Sequence, residues 1–471
     1  MNAETLSAAP RPAASGYPIV LLLLCLLALL VLDSSLLSGG SPAHLPLRPL
    51  GSPGGGIVGG GTSLQPGLGK FAPLPGSLPE PLALRYHGHQ FRVYNPNIGD
   101  GRGFLFAQMH DRAGRLMDLG TKGSGQTPHS RSGDGRLTLK GAVREILATE
   151  LLEALGVETS RTFSVIETGE ALHRGDEPSP TRSAVLIRLS HGHIRIGSFQ
   201  RLATLGEEDN LRRLTAYALR HYYGEEQGDD ANAPVRLVRL VIARTAQMAA
   251  SFMAAGFVHG VLNSDNINVS GESFDYGPWR WTPTFEPNFT AAYFDEQGLY
   301  AFGRQAEAIH WDAVQLANST LTIADRDALV EAIEGYAPAY RKAIVERILW
   351  RLGVTPRSER DDIAVVTALE TALFTSKVEI DRFYFDWAGG QLRERADASL
   401  YSNEYFEPLT RALQGYVPSR SFDHPYWQGA GPCSMHIAEV EAIWAPIAEA
   451  DDWTFLENKV RQIRQLGEAM S

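Results

Sequence analysis

Several groups of residues in this chain carry side chains suited to holding a polyphosphate and moving one of its groups. The sharpest is VHGVLNSDNINVSGESFDYGPW at 258–279, where Asp265 and Asn266 stand together and Asp275-Tyr276-Gly277 follow ten residues later. The apolar alternation of Ile267 and Val269, then Phe274, predicts a short hairpin that brings these oxygen-bearing side chains to one mouth. Hard oxygen ligands of this kind suit Mg2+ or Mn2+ bridging phosphates. Turn capping would account for Asp265 or Asn266 singly, but not for the whole group.

A second constellation joins a lysine to a glutamate. Lys122 ends a predicted strand among small residues, in TKGSGQTPHSRSGDGR at 121–136. Glu145 lies two positions before Leu147 on a helix whose apolar side should pack on the strands. An inward glutamate needs a cation, and Lys122 is the natural candidate. Arg188 ends an apolar strand, and Arg195 follows the intervening LSHGHI. Two guanidinium groups near one another suit a polyphosphate, because each donates two parallel hydrogen bonds. His191 and His193 form an H-x-H pair with no acidic or Cys companion nearby in sequence, which favours structural or surface roles. The glycines of IGDGRG at 98–103, Gly99, Gly101 and Gly103, let the backbone run close to a ligand, and Arg102 adds a cation. Asp134-Gly135-Arg136 repeats this string, which two ordinary turns explain poorly.

The elements that must position these groups follow from patterning. Residues 103–109 and 115–122 read as strands around a turn at 111–114. Residues 140–155 carry Val143, Ile146, Leu147, Leu151 and Leu155 at helical spacing, with Gly156 as the stop. Strands are predicted at 161–167 and 184–189, then a long helix at 233–256 ending at Gly256. Residues 324–353 predict two helices broken at Pro338. Strands with one helix come first and a helical body later, so the chain reads as α+β with two lobes and a nucleotide cleft between them.

Composition sets outer bounds. The 471 residues carry a formal net charge of -11 and no long Lys/Arg block, so nucleic acid is not expected as a main partner. Apolar residues at 44% supply a sizeable core. Two cysteines, Cys25 and Cys433, exclude a disulfide scaffold or Cys/His zinc spacing. Residues 17–32 are apolar and uncharged, but shorter than the roughly 20 residues of a bilayer span. An uncleaved anchor, a signal peptide and an extension from a misplaced start codon remain three readings of this run, which is the only expected membrane contact. The Gly/Pro/Ser-rich stretch at 39–80 lacks the Gly-Lys-Ser/Thr ending of a phosphate loop and reads as a linker.

The order of glycine-rich loop, strand Lys, helix Glu, loop Asp-Asn and then Asp-Tyr-Gly resembles the protein kinase plan, without its His-Arg-Asp and Asp-Phe-Gly strings. YHGHQF (86–91), NIGDGRG (97–103), KGSGQTPHSRSGDGR (122–136), REILATE (144–150), HIRIGSF (193–199) and HGVLNSDN…DYGPW (259–279) resemble the selenoprotein O family of kinase-like protein adenylyltransferases. The match covers roughly 82–280 well and the remainder loosely. It implies a bilobal protein-kinase-like fold with a strand-rich N-lobe at 81–192 and a helical C-lobe at 193–471, after the hydrophobic segment at 1–40 and the linker at 41–80 that composition suggests. It implies ATP as substrate with Mg2+ or Mn2+. Lys122 would hold phosphates and pair with Glu145; Gly99, Gly101, Arg102, Asp134 and Gly135 would line the nucleotide site. Arg188 and Arg195 would grip phosphate, Asn266 and Asp275 would ligate the metal, and Asp265 would be the general base. AMP would pass to Ser, Thr or Tyr hydroxyls of proteins, with UMP transfer left open, and the catalytic part would be cytoplasmic.

The chain departs from the family pattern at Arg92, usually Gly, at Ser132, usually Phe, and at Leu262 and Ser264, usually Met and Thr. The C-terminal third lacks the expected family strings. Two other readings stand beside AMP transfer: a conventional phosphotransferase, which the missing kinase strings oppose, and an inactive nucleotide-binding module, which the retained Lys122, Glu145, Asp265, Asn266 and Asp275 oppose.

Overall fold

The computed structural model of the protein describes residues 77–131, 133–175, 177–226 and 230–471. The apolar run at 17–32, most of the linker and Ser132 lie outside the described residues. A hairpin comes first, β1 (Arg85–Gln90) against β2 (Val93–Gly99). Its turn holds Phe91 and Arg92 at φ of 51° and 63°. Glycine adopts this left-handed region freely, whereas other residues do so at a cost of about 1 kcal/mol or more. Here the arginine is anchored by an ion pair to Glu307 at 2.9 Å and a guanidinium 5.4 Å from the Trp311 ring centre.

The main sheet contains β3 (Leu105–His110), β4 (Leu116–Lys122), β5 (Leu137–Thr138), β6 (Arg161–Leu172) and β7 (Thr181–Ser190). The hairpin predicted from 103–122 is present, and β6 and β7 run beyond their expected bounds. β7 is the hub, pairing antiparallel with β4, β5 and β6. Its Leu186 sits opposite Lys122 and its Arg188 opposite Gly120. Side chains alternate along a strand, so Lys122 and Arg188 are diagonal neighbours on one face. That face also presents Ala184 and Leu186 to the main core; the other buries Val185, Ile187 and Leu189 with Phe106, Met117 and Leu119.

Helix α1 (Leu139–Ala154) packs on the Lys122 face. Thr138 caps it, its hydroxyl accepting from the Gly141 N–H at 3.0 Å, and Gly156 leaves it at φ 71°. Leu147 and Leu151 on α1 are buried, and so is Glu145. The helical body follows: α2 (Ile196–Thr204), α3 (Glu208–Tyr223) and α4 (Ala233–Ala255), the last a mostly buried central helix ending at Gly256 in left-handed conformation. α5 (Gln305–Thr320) and, after the short α6 (Arg326–Glu334), α7 (Tyr336–Leu352) pack against α4. The break between α6 and α7 falls at Gly335, not Pro338. Pro338 sits in the first turn of α7, where no intrahelical partner exists for the N–H it lacks.

Then come α8 (Glu359–Ser376), α9 (Ile380–Asp386), α10 (Glu407–Ala412), α11 (Ile437–Ala450) and α12 (Thr454–Met470). The last two return to brace α1. Arg464 grips Glu150 with two hydrogen bonds of 2.9 and 2.6 Å, and Lys140 pairs with Glu441 at 2.7 Å. The C-terminal third thus supports the helix that carries Glu145.

The hairpin expected across 265–275 does not form. Ser264–Asn266 is a 3-10 turn; Asn268 bridges to Arg195 and Ser273 to Thr159. The apolar residues that suggested alternation are buried against other segments, so tertiary partners replace the local pairing. A two-stranded ribbon, β8 (Phe257–Val258) with β9 (Arg280–Trp281), closes the region from behind.

Glu370 on α8 is buried without a partner for one carboxyl oxygen, among Met253, Phe285, Ile348, Leu373 and Tyr384. Burial pushes its pKa up to about 8. A carboxyl whose folded pKa exceeds its unfolded value of about 4.3 keeps its proton longer in the fold, so this contribution to stability falls as pH rises from about 4 through about 8. Urea denaturation of Glu370→Gln should lack that decline and show a gain over the parent of more than about 1 kcal/mol at pH 8. An unchanged pH slope would remove Glu370 from the account.

Candidate active site

A cavity of 760 Å³ opens between the glycine-rich loops, the Lys122–Arg188 face and the 261–278 segment. Ten of the twelve residues singled out in the sequence line it: Gly99, Gly101, Arg102, Lys122, Asp134, Gly135, Arg188, Arg195, Asn266 and Asp275. Glu145 and Asp265 do not. Glu145 stands behind Lys122 and accepts a hydrogen bond from its ammonium, both side chains being nearly inaccessible. Asp265 stands behind Asn266, covered by β1: a side chain on Gly88 would come within 2.9 Å of its carboxyl.

Charge on the cavity floor converges on Asp275. Its Oδ1 accepts from Arg188 at 2.6 Å and lies 3.4 Å from the Lys122 ammonium, and its Oδ2 accepts from Arg195 at 2.9 Å. Burial works against the ionised carboxylate, but Arg188, Arg195 and Lys122 overcome it and hold its pKa well below the usual carboxylate range. Arg195 also donates to the Asp265 carbonyl at 2.8 Å and to Asp100 Oδ1 at 2.9 Å, with its guanidinium 4.6 Å from the ring centres of both Tyr86 and Phe274. The Nε atoms of Arg188 and Arg195 are buried without partners. Asp275 itself has φ 60°, the left-handed region, so the backbone here is held in place by its ion pairs at some cost.

Asp100 had no assigned role in the sequence, although the repeated Gly-Asp-Gly-Arg string marks it as the counterpart of Asp134. It accepts from the Leu84 N–H at 3.1 Å and ties the first loop to Arg195. Asp134 serves the second loop differently: Arg174, from beyond β6, grips it with bonds of 2.6 and 3.0 Å, and this pairing lowers its pKa. His129, Ser130 and Arg174 also line the cavity, and no sequence signal distinguished them. Arg102 makes no ion pair among the described residues and faces the cavity as a free cation.

The glycines act on the loops as well as on any ligand. A side chain on Gly103 would meet the Thr121 carbonyl at 1.9 Å, and one on Gly135, at φ 71°, would come within 2.2 Å of the Gly125 carbonyl carbon. They allow backbone to lie on backbone where the two loops meet the sheet. His193, which also lines the cavity, gains through the fold the acidic partner it lacked in sequence, Asp118 Oδ2 at 3.2 Å.

Asp265 is buried, its Oδ2 accepting from Gln90 at 3.3 Å and its Oδ1 without a partner. Burial raises its pKa, opposed by Arg195 and assisted by the charge of Asp275. Asn266 donates its amide to the Val261 carbonyl at 3.0 Å, which leaves its side-chain oxygen free for another ligand. Among the described residues no cluster of three His, Cys, Asp or Glu side chains could hold a metal by itself. The Asn266 side chain and the Asp275 carboxylate both line the cavity, the latter with Oδ1 facing Arg188 and Lys122 and Oδ2 facing Arg195.

A lysine paired with a buried glutamate, two buried arginines and the Asn266 and Asp275 side chains surround one cavity, an arrangement suited to a polyanion. The family model described as protein adenylyltransferase SelO matches residues 68–464. A protein nucleotidyltransferase YdiU from Synechocystis is 51% identical over 276 residues, 58% of this chain and 58% of that protein. Its namesakes from Synechococcus elongatus and Pseudomonas aeruginosa are 40% and 37% identical, covering 82% and 68% of this chain and 83% and 65% of theirs. The chain belongs to the SelO family of protein adenylyltransferases. It is a nucleotidyltransferase by family, and that activity implies ATP and a protein as its two substrates.

The Lys122–Glu145 pair gives a direct test of this geometry. Removing one partner of a buried pair strands the other charge, whereas neutralising both relieves it. Lys122→Met should lower the unfolding free energy by about 3–5 kcal/mol, and Lys122→Met with Glu145→Gln should recover most of it. Equal instability of the single and double variants in urea titrations would show that the two side chains are not paired.

Proposed function

We propose that the chain transfers AMP from ATP to hydroxyl groups of Ser, Thr or Tyr side chains in proteins, on a kinase-like fold with an N-lobe at 81–192 and a C-lobe at 193–471. The fold reading is supported by the order of strand Lys122, helix Glu145, turn Asp265-Asn266 and then Asp275 around one cavity. The observation that carries the chemistry is the convergence of Lys122, Arg188 and Arg195 on the buried Asp275. Their charges are balanced by Asp275, Glu145 and Asp100, which hold them in fixed positions around the cavity. With a triphosphate in the cavity they gain a second anionic partner without reorganising, the condition under which electrostatic stabilisation is strongest.

In this reading the acceptor hydroxyl attacks the α-phosphorus. A new O–P bond forms, the bridging bond to the β-phosphate breaks, and pyrophosphate leaves. Lys122, Arg188 and Arg195 stabilise the charge that develops on the leaving group, and Arg102 holds phosphate from the loop side. Asp265 receives the hydroxyl proton. Burial raises its pKa, against the opposing charge of Arg195, and a higher pKa favours a carboxylate as proton acceptor. Asn266 and Asp275 would hold Mg2+ or Mn2+, which neutralises phosphate charge when bound. Use of ATP supports a cytoplasmic location for the catalytic part.

The full chain incubated with ATP labelled at either the α or the γ position, Mg2+ or Mn2+ and a protein mixture should attach α label and no γ label. Attachment of γ label alone would make the protein a phosphotransferase. Asp275→Ala should abolish transfer, and Asp265→Asn should slow it by about 10²–10⁴-fold with ATP binding retained. A normal rate for Asp265→Asn would remove it as the base.

A further inference from the structure

Beside the turn that holds Asp265, the surface carries a ledge of aromatic side chains that the nucleotide chemistry does not use. Tyr293 is 85% exposed and Phe294 46%, both in the irregular segment after β9; Phe91, 36% exposed, completes the ledge from the β1–β2 turn. The rings form a chain: Tyr293 to Phe294 at 5.1 Å, Phe294 to Phe91 at 5.9 Å, and Phe91 to the buried Tyr300 at 5.1 Å between centres. Grouped exposed aromatics of this kind mark contact surfaces, since isolated folding gives no reason to leave them in water.

The ledge hangs on the loop of the proposed base. The Phe91 N–H and the Tyr300 hydroxyl both donate to Asn263 Oδ1, at 3.0 and 2.6 Å, two residues before Asp265. Gln90, adjacent to Phe91, donates to Asp265 Oδ2. Phe91 and Arg92 are held in left-handed conformation, so the turn is locked rather than relaxed, a pattern found at ligand clamps. Arg92 and Arg304 share one carboxylate beside the ledge, that of Glu307. The surface that adjoins the Asp265 turn thus presents grouped rings on a backbone turn held in place.

We propose that this ledge docks the acceptor protein, taking an aromatic or large aliphatic side chain that flanks the hydroxyl residue to be modified. The proposal rests on the reading of Asp265 as the base. A protein-modifying enzyme must hold a polypeptide segment beside that residue, and the surface continuous with its loop offers exposed rings for apolar contact. An apolar flank gains by burial there, and a charged flank would lose hydration against the rings. Arg92, in place of the family's usual glycine, pins Phe91 for this contact through Glu307 and Trp311.

The test uses the full chain, α-labelled ATP, and Ser/Thr peptides carrying Phe or Leu, or Asp or Lys, at each flanking position. The parent should prefer apolar flanks. Tyr293→Ala with Phe294→Ala should lower kcat/KM on those peptides about ten-fold, erase the preference, and leave affinity for a non-hydrolysable ATP analogue unchanged. Transfer by parent and variant alike without flank preference would overturn the docking proposal while leaving AMP transfer standing. Absence of α label on every peptide, with fluorescent apolar-flanked peptides still bound by the parent and not by the variant, would overturn the transfer chemistry and leave the ledge standing. A photo-crosslinker at position 293 should capture the peptide; its capture of residues 1–76 or of a second copy of the chain in place of peptide would overturn the assignment of occupant.

Discussion

The site depends on one buried carboxylate. Asp275 lies among Lys122, Arg188 and Arg195, and each of these cations reaches it from a different element. A lone carboxylate in this position would take up a proton, and three lone cations would repel one another. Together they fix strand β4, strand β7, the segment before α2 and the loop ending at Asp275 around a single point. Glu145 and Asp100 complete the set, each neutralising a cation that would otherwise be in excess. The same charges that hold the segments together are those a polyphosphate would engage, so structural and chemical demands coincide in this cluster.

The rest of the molecule can be understood by how it supports that point. The sheet places Lys122 and Arg188 diagonally on one face. α1 presses Glu145 onto that face, and the C-terminal helices, through Arg464 and Lys140, hold α1 from behind. The two glycine-rich loops reach the cavity because glycines let their backbones pass over neighbouring backbone. Membership in the SelO family agrees with this equipment, since moving a nucleotidyl group between two substrates requires little covalent help from the protein and much fixed charge.

Much of the site was legible in the chain. Lys122, Glu145 and Arg188 stand out because charged residues among apolar strands and helices must find partners, Arg195 through its nearness to Arg188, and Asn266 and Asp275 as oxygen-bearing side chains grouped with Asp265. The hairpin expected between Asp265 and Asp275 was not correct, because its apolar residues pack against distant segments. Pro338 misled for a related reason: a proline breaks a helix interior but is accepted in a first turn, and the sequence does not say which turn it occupies.

By itself the sequence determined the inventory of charges and some of the elements, the β3–β4 hairpin, α1 and α4 among them, because periodicity, caps and unpaired charges are local properties that each residue carries with it. The tertiary structure decided which charge meets which. It brought Asp100 to Arg195 across 95 residues and Asp118 to His193 across 75, and it turned the C-terminal helices into a brace for α1. It also set Asp265 behind the cavity wall and assembled Phe91, Phe294 and Tyr293 into one surface. These are contacts between segments far apart in sequence, and only the packed fold fixes their distances.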